Sequence, residues 1–186
     1  MSERTIEVEI RGVSPLLMNR PDLLDLSDKA KVRQAGKNEA EIQFASKKYL
    51  TPEGELFTPS THIYGALVEG GKSVKVKGSG KATYSKLIGS CVRVEPAQII
   101  HLNQKVEPIT TISVNPATKG RNPLTRPILN KWGLKFELVF DADEIPEEAL
   151  RECLDIAGKR AGIGDWRPQK KGPYGRFQVV SWKEKK

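Results

Sequence analysis

The chain is poor in the residues that staple small proteins together or hold metals. Cys91 and Cys153 are its only cysteines, and His62 and His101 its only histidines. Two cysteines cannot build a disulfide scaffold. Their expected place in strand and helix interiors makes them buried free thiols of a reducing cytoplasm. Neither histidine has a cysteine or another histidine at ligand spacing, so no metal set and no cofactor is expected. No apolar run approaches the ~20 residues of a membrane span. Met1-Ser2-Glu3-Arg4 leads straight into an acidic alternating segment, so neither a signal peptide nor a membrane partner is expected. Acidic residues are missing altogether from residues 70–94, which hold 6 basic side chains.

What is present is positive charge, unevenly spread. The 186 residues carry a net charge of +8 with 38% hydrophobic content, enough for one sizeable core with polar insertions. Residues 1–69 hold 9 basic and 11 acidic side chains, whereas residues 159–186 hold 9 basic and 2 acidic ones. Concentration of cations in a few segments is the footprint of a polyanion-binding surface. Lys183, Lys185 and Lys186 read instead as a solvated tail.

Periodicity outlines the elements. Ile6, Val8 and Ile10 alternate with Glu7, Glu9 and Arg11, a half-buried strand over 5–11. Residues 19–48 are polar and read as a partly helical insertion or mobile loop. Thr58-Pro59-Ser60 starts a helix whose Ile63, Ala66, Leu67 and Gly70 recur at helical spacing, ending at Gly70-Gly71. Residues 71–86 read as a mobile loop. Ile88 and then Cys91 to Ile100 are expected in one or two strands, with Pro96 at an edge or bulge. Residues 102–131, with Pro108, Pro116, Pro123 and Pro127, read as a long irregular segment. Leu134, Phe136, Leu138 and Phe140 alternate as a strand. Leu150, Cys153, Leu154 and Ala157 make a helical stripe, and Phe177 to Trp182 the last strand. The order predicts an α+β fold, a ferredoxin-like or RRM-like βαββαβ arrangement.

Two glycine patterns are not nucleotide sites. Ala66 to Ser73 fits a relaxed phosphate loop, but it lies inside and at the end of a helix, with Glu69 where a triphosphate must go. Gly162-Ile163-Gly164 lacks the third glycine of a dinucleotide fingerprint, because Arg167 stands there. His62, near a helix start, could act as a general base in RNA cleavage; a merely packed or exposed histidine is the commoner reading. Asp22, Asp25 and Asp28 could face one side of a helix and hold a metal, and a solvated acidic face is again commoner. Nucleic-acid binding is better supported. Trp166, Tyr174 and Phe177 alternate with Arg167, Lys170, Lys171 and Arg176, so aromatics can stack on bases while cations neutralise phosphates. Phe177 is expected to be a core anchor. Glu7 and Glu9 on the open face of the first strand would repel phosphates, so binding should use loops and insertions rather than the sheet.

Phe57-Thr58-Pro59-Ser60-Thr61-His62-Ile63-Tyr64-Gly65-Ala66-Leu67 resembles the proline-led start of the first helix in the RAMP superfamily of CRISPR effector proteins. Gly162-Ile163-Gly164 through Gly172-Pro173-Tyr174-Gly175-Arg176-Phe177 resembles that family's C-terminal glycine-rich loop, in the same order along the chain. Ser14-Pro15-Leu16-Leu17-Met18-Asn19-Arg20 departs from the glycine-rich turn common after its first strand. Small phage-encoded proteins with a similar closing segment also look alike. The resemblance implies a single domain over 1–186, with a ferredoxin-like palm. It further implies a web-like insertion over 15–56 and a β-rich or irregular thumb over 102–131. It implies a non-catalytic, sequence-tolerant subunit that coats guide RNA as a multimer beside other effector subunits. Arg20, Lys72, Lys75, Lys77 and Lys81 would then meet phosphates together with the loop cations, and Arg121 and Arg126 would lie on the thumb. The alternatives are a RAMP-type endoribonuclease using His62 or Asp28, and a phage protein binding single-stranded nucleic acid, DNA included.

Overall fold

The computed structural model describes residues 2–21, 38–114 and 117–185. Its elements begin with β1 (Glu3–Gly12), β2 (Leu16–Leu17), α1 (Glu39–Ser46), β3 (Phe57–Pro59) and α2 (Ser60–Gly71). Then come α3 (Ser85–Cys91), β4 (Val92–Glu95), β5 (Gln98–Ile100), β6 (Glu107–Val114) and β7 (Arg121–Leu129). The chain closes with β8 (Gly133–Asp141), α4 (Glu147–Ile156) and β9 (Phe177–Glu184).

The alternation of β1 places Ile6, Val8 and Ile10 at 0% exposure. Full burial of such a side chain contributes about 1.5–3 kcal/mol, so a one-residue slip of register is strongly disfavoured. β1 is the centre of an antiparallel sheet in the order β4-β8-β1-β9. One face of this sheet packs on α2 through Ile63 and Leu67, and on α4 through Leu150 and Leu154, in a single core with Phe136 and Phe140. The frame β1-α2-β4-β8-α4-β9 is therefore ferredoxin-like, as the element order predicted. α4 continues through a π-helical turn, Ala157–Ala161, and stops at Gly162 with φ 66°. Cys153 is buried in α4, and burial pushes its thiol up to about 12. No described helix is long and apolar enough to cross a membrane.

Three readings need correction. Most of 102–131 is strand, the β-rich alternative rather than the irregular one: β6 and β7 form an antiparallel pair, and β7 also pairs with β2, while Pro116 lies outside the described residues. Pro108, Pro123 and Pro127 do not break the ladder because they occupy the same alternate rungs, Pro108 opposite Pro127 and Pro123 opposite Ile112. On those rungs N–H groups point away from the partner strand, where proline loses no bond. Thr125 shares the rung type, and its N–H indeed donates outward to Gln43 Oε1 on α1. Ile88 lies in α3 rather than in a strand, because Tyr84 and Ile88 turn inward one helical turn apart. Cys91 accordingly ends a helix and is only half-buried. The lysine-rich segment before α3 is tethered, not free. The Val76 and Tyr84 amides donate to Ala82 and Val74, and Val74 and Tyr84 are buried.

Candidate nucleic-acid interface

The glycine-rich loop begins where the π-helical turn ends, and it folds against the segment that leaves β1. The Asp165 amide donates to the Leu17 carbonyl at 2.8 Å, and the Gly175 amide to the Pro15 carbonyl at 2.8 Å. That segment is also held from its other side by β7, so loop, β1 exit and hairpin form one block. Two of the glycines are required by this closeness. Gly164 has φ 79°, and a Cβ there would lie 2.7 Å from the Leu17 carbonyl oxygen. Gly175 has φ 75°, and a Cβ there would overlap the Ile163 carbonyl. The glycines thus serve backbone packing, and the loop's cations are what face outward. Lys170 and Lys171 are exposed, with no ion-pair partner among the described residues.

Asp165 is the keystone of the block. It pairs with Arg126 of β7, and Asn19 Nδ2 donates to the same carboxylate oxygen at 3.0 Å. Arg126 also donates to Thr111 Oγ1 and is only 7% exposed. The expectation that Arg126 meets phosphate is therefore corrected: it is a buried strut, because an acid 39 residues away meets it there. The sequence reading does not single out Asp165, although it is the one acid between Asp155 and Glu184.

A cleft of about 190 Å³ opens beside this keystone, between Leu16–Asn19, Tyr49, Thr58, His62, Asp165 and Arg167. It adjoins a second cleft of about 240 Å³ over the first turns of α2, with His62, Gly164 and Arg167 common to both. Arg167 is braced by the Gly164 carbonyl at 3.1 Å and by Gln169 Oε1 at 3.1 Å. Burial, and then the Arg167 charge, hold His62 below its ordinary basicity, so its imidazole is neutral at pH 7. Burial raises the Tyr49 phenol; Arg20 acts against that rise and Asp165 adds to it, which places both charges at this cleft. Tyr49 stands edge-on to His62, with ring centroids 5.5 Å apart. Tyr49 and Asn19 carried no signal in the sequence, and Thr58 only that of a helix start, since each gains its place in the cleft from residues far along the chain.

The remaining expected contacts divide into groups. Trp166 is 44% exposed and pairs with Tyr174 at 5.8 Å, leaving an aromatic surface beside Lys170 and Lys171. Phe177 is buried against Trp132, as the core-anchor reading held. Arg176 is exposed, with Nε 3.4 Å from the Lys159 carbonyl oxygen. Lys72, Lys75, Lys77 and Lys81 are also exposed, but they lie at the other end of α2, ~15 Å along the helix from His62. Lys72 is paired with Glu69 at 2.6 Å. Arg121 is exposed at the far end of the hairpin. Among the described residues no group of His, Cys, Asp and Glu could hold a metal ion. Asp22, Asp25 and Asp28 lie outside the described residues.

Fold and site together define a ferredoxin-like α+β protein whose glycine-rich loop carries exposed cations beside a cleft. Comparison with solved structures makes the fold more particular. All of this chain (100%) superposes on 61% of a chain in the cryo-EM structure of the Type III-B Cmr-beta bound to cognate target RNA. The TM-score there is 0.64 and the identity 13%, a likeness of fold. That likeness agrees with the ferredoxin-like palm of the element order. The chain spans about three fifths of the length of that neighbour. The crystal structure of Cmr6 from Pyrococcus furiosus is also similar, at 12% identity and a TM-score of 0.46 over 96% of this chain and 99% of that one. No protein-family model and no curated protein matches the chain.

Proposed function

We propose that this protein is a sequence-tolerant RNA-binding backbone subunit of a CRISPR-type ribonucleoprotein effector complex. It coats guide RNA in the cytoplasm as several copies beside other subunits. Residues 15–56 form its web-like insertion and 102–131 its thumb. One observation carries this function: a groove flanked by aromatics and by Lys170 and Lys171, which have no ion-pair partner among the described residues, lies on the loop side of a fold whose sheet face carries ion pairs. Arg20, Arg167, Lys170 and Lys171 offer phosphate contacts, with Trp166 and Tyr174 as stacking surfaces. Lys75, Lys77, Lys81, Arg121 and Arg176 extend the basic surface. The structural neighbour bound to target RNA supports the same class of ligand.

Fluorescence anisotropy with a labelled single-stranded RNA tests this. With about five phosphates neutralised, affinity falls about 100-fold between about 50 and about 200 mM salt. Salt-insensitive binding, or binding of one sequence alone, would overturn the function. Competition by DNA of the same sequence separates this protein from a single-stranded-DNA binder. A discrete RNA copurifying in a high-mass complex is the expected companion result.

A second reading, metal-independent RNA cleavage, draws on the neutral His62 imidazole beside Arg167. There His62 would be the general base. His62→Ala would abolish cleavage and spare binding; RNA left intact by the wild-type protein removes this reading.

A further inference from the structure

Resting on the RNA-binding reading above, the geometry points to a second kind of contact: the cleft between Tyr49, His62 and Thr58 holds one unstacked nucleobase of the bound strand. At about 190 Å³ the cleft is smaller than the roughly 300 Å³ at which small-molecule pockets begin. It suits one planar heterocycle, with ribose and phosphate left outside. Leu16 and Leu17 make its floor apolar. Tyr49 and His62 stand at 88° to each other, so a base stacked on either ring meets the other edge-on, and both arrangements are favourable. The cleft's one lining cation, Arg167, stands at its mouth opposite one acid, Asp165, which is itself paired with Arg126, so the interior is close to neutral and suits an uncharged ring better than a phosphate. The cations that suit phosphates, Lys170 and Lys171, lie on the loop outside.

Thr58, which lines the cleft, can offer such a base one hydrogen-bond donor. His101 is buried, with Nε2 2.9 Å from Thr58 Oγ1, and its Nδ1 has no partner among the described residues. Burial holds His101 neutral, with its pKa down at about 4. An orphaned buried N–H is rarer and costlier than an orphaned lone pair. The proton therefore resides on Nε2, and the ring donates to Thr58. The Thr58 hydroxyl proton is then left to donate into the cleft, to a base carbonyl or ring nitrogen. His101 is thus a positioning residue acting through Thr58.

The test measures anisotropy of the full chain with two labelled 12-mers, oligouridine and a fully abasic ribose-phosphate strand. Oligouridine is expected to bind about tenfold more tightly, the scale of one base stacked on an aromatic ring. Tyr49→Ala is expected to remove most of that preference and leave abasic binding unchanged. Thr58→Val, which keeps the shape, is expected to remove about threefold of it. Equal binding of the two strands by the wild-type protein overturns the pocket while leaving phosphate-driven RNA binding intact, and it needs no variant. A base preference undiminished in both variants also overturns the pocket. Failure of both strands to bind overturns the RNA-binding reading, and the pocket with it.

Discussion

The open face of the sheet and the side carrying the glycine-rich loop are both rich in charge, yet they differ in what the charge can do. On the sheet, Lys135 pairs with Glu7 at 3.0 Å, Arg11 with Glu9 at 2.7 Å, Arg93 with Glu3 at 3.1 Å and Lys185 with Glu137 at 2.5 Å. Each of these four cations has an acid beside it, so the acids of this face are largely neutralised rather than repulsive. Exposed pairs of this kind contribute little to stability, about 0–1 kcal/mol each. They do remove the sheet as a phosphate platform. In the glycine-rich loop the one acid, Asp165, is taken up by buried Arg126. Lys170 and Lys171 therefore have no ion-pair partner among the described residues. A pairing internal to the fold, rather than the number of lysines, decides which surface is basic.

This contrast can be broken at several points, beginning with the backbone. Gly175→Ala forces a Cβ into the Ile163 carbonyl at φ 75° and is expected to cost about 4 kcal/mol in urea unfolding. A cost under about 1 kcal/mol would show that the loop is not the rigid partner of the β1 exit. Next comes the histidine beneath the cleft. The folded His101 has its pKa lowered from 6.5 to about 4, so the unfolded chain binds a proton the folded one refuses. Stability is full above about pH 6.5 and falls as pH drops towards about 4, by an amount on the order of 3 kcal/mol. His101→Gln should flatten that part of the wild-type stability curve; identical slopes would count against a buried neutral ring.

Smaller effects separate the two faces. Asp165→Ala strands the Arg126 charge and is expected to destabilise by about 2 kcal/mol, below the full buried-pair value because Asp165 is partly exposed. Reversing Lys170 and Lys171 together to Glu is expected to weaken RNA affinity at least tenfold at about 0.1 M salt. Lys135→Glu on the sheet should change it less than about twofold. If the sheet variant proved the more harmful, the assignment of the basic surface would be reversed.

Much of the palm was legible because periodicity is local. β1, β8 and α4 show the alternation or stripe that their burial requires, and Gly70-Gly71 marks the end of α2. The β6–β7 hairpin was hidden, because prolines count against strands unless their rung is known, and the rung depends on the partner's register. α3 was hidden because its short run of Leu87, Ile88 and Cys91 fits a strand as readily as a helix. In the site, the loop cations and Trp166 were legible as a cluster. The inward turn of Arg126 and the meeting of Tyr49 with His62 were not.

The sequence by itself determined the partition of charge, the alternating strands and the two motifs that resemble the RAMP superfamily, since these are carried by neighbours along the chain. Only the tertiary structure decided which cations remain available. Arg126 lost its freedom to Asp165, Lys135 to Glu7 and Lys72 to Glu69, while Lys170 and Lys171 kept theirs. Ion pairing falls off within a few ångströms, and the distance between residues far apart in sequence is set by strand register and loop closure, not by composition.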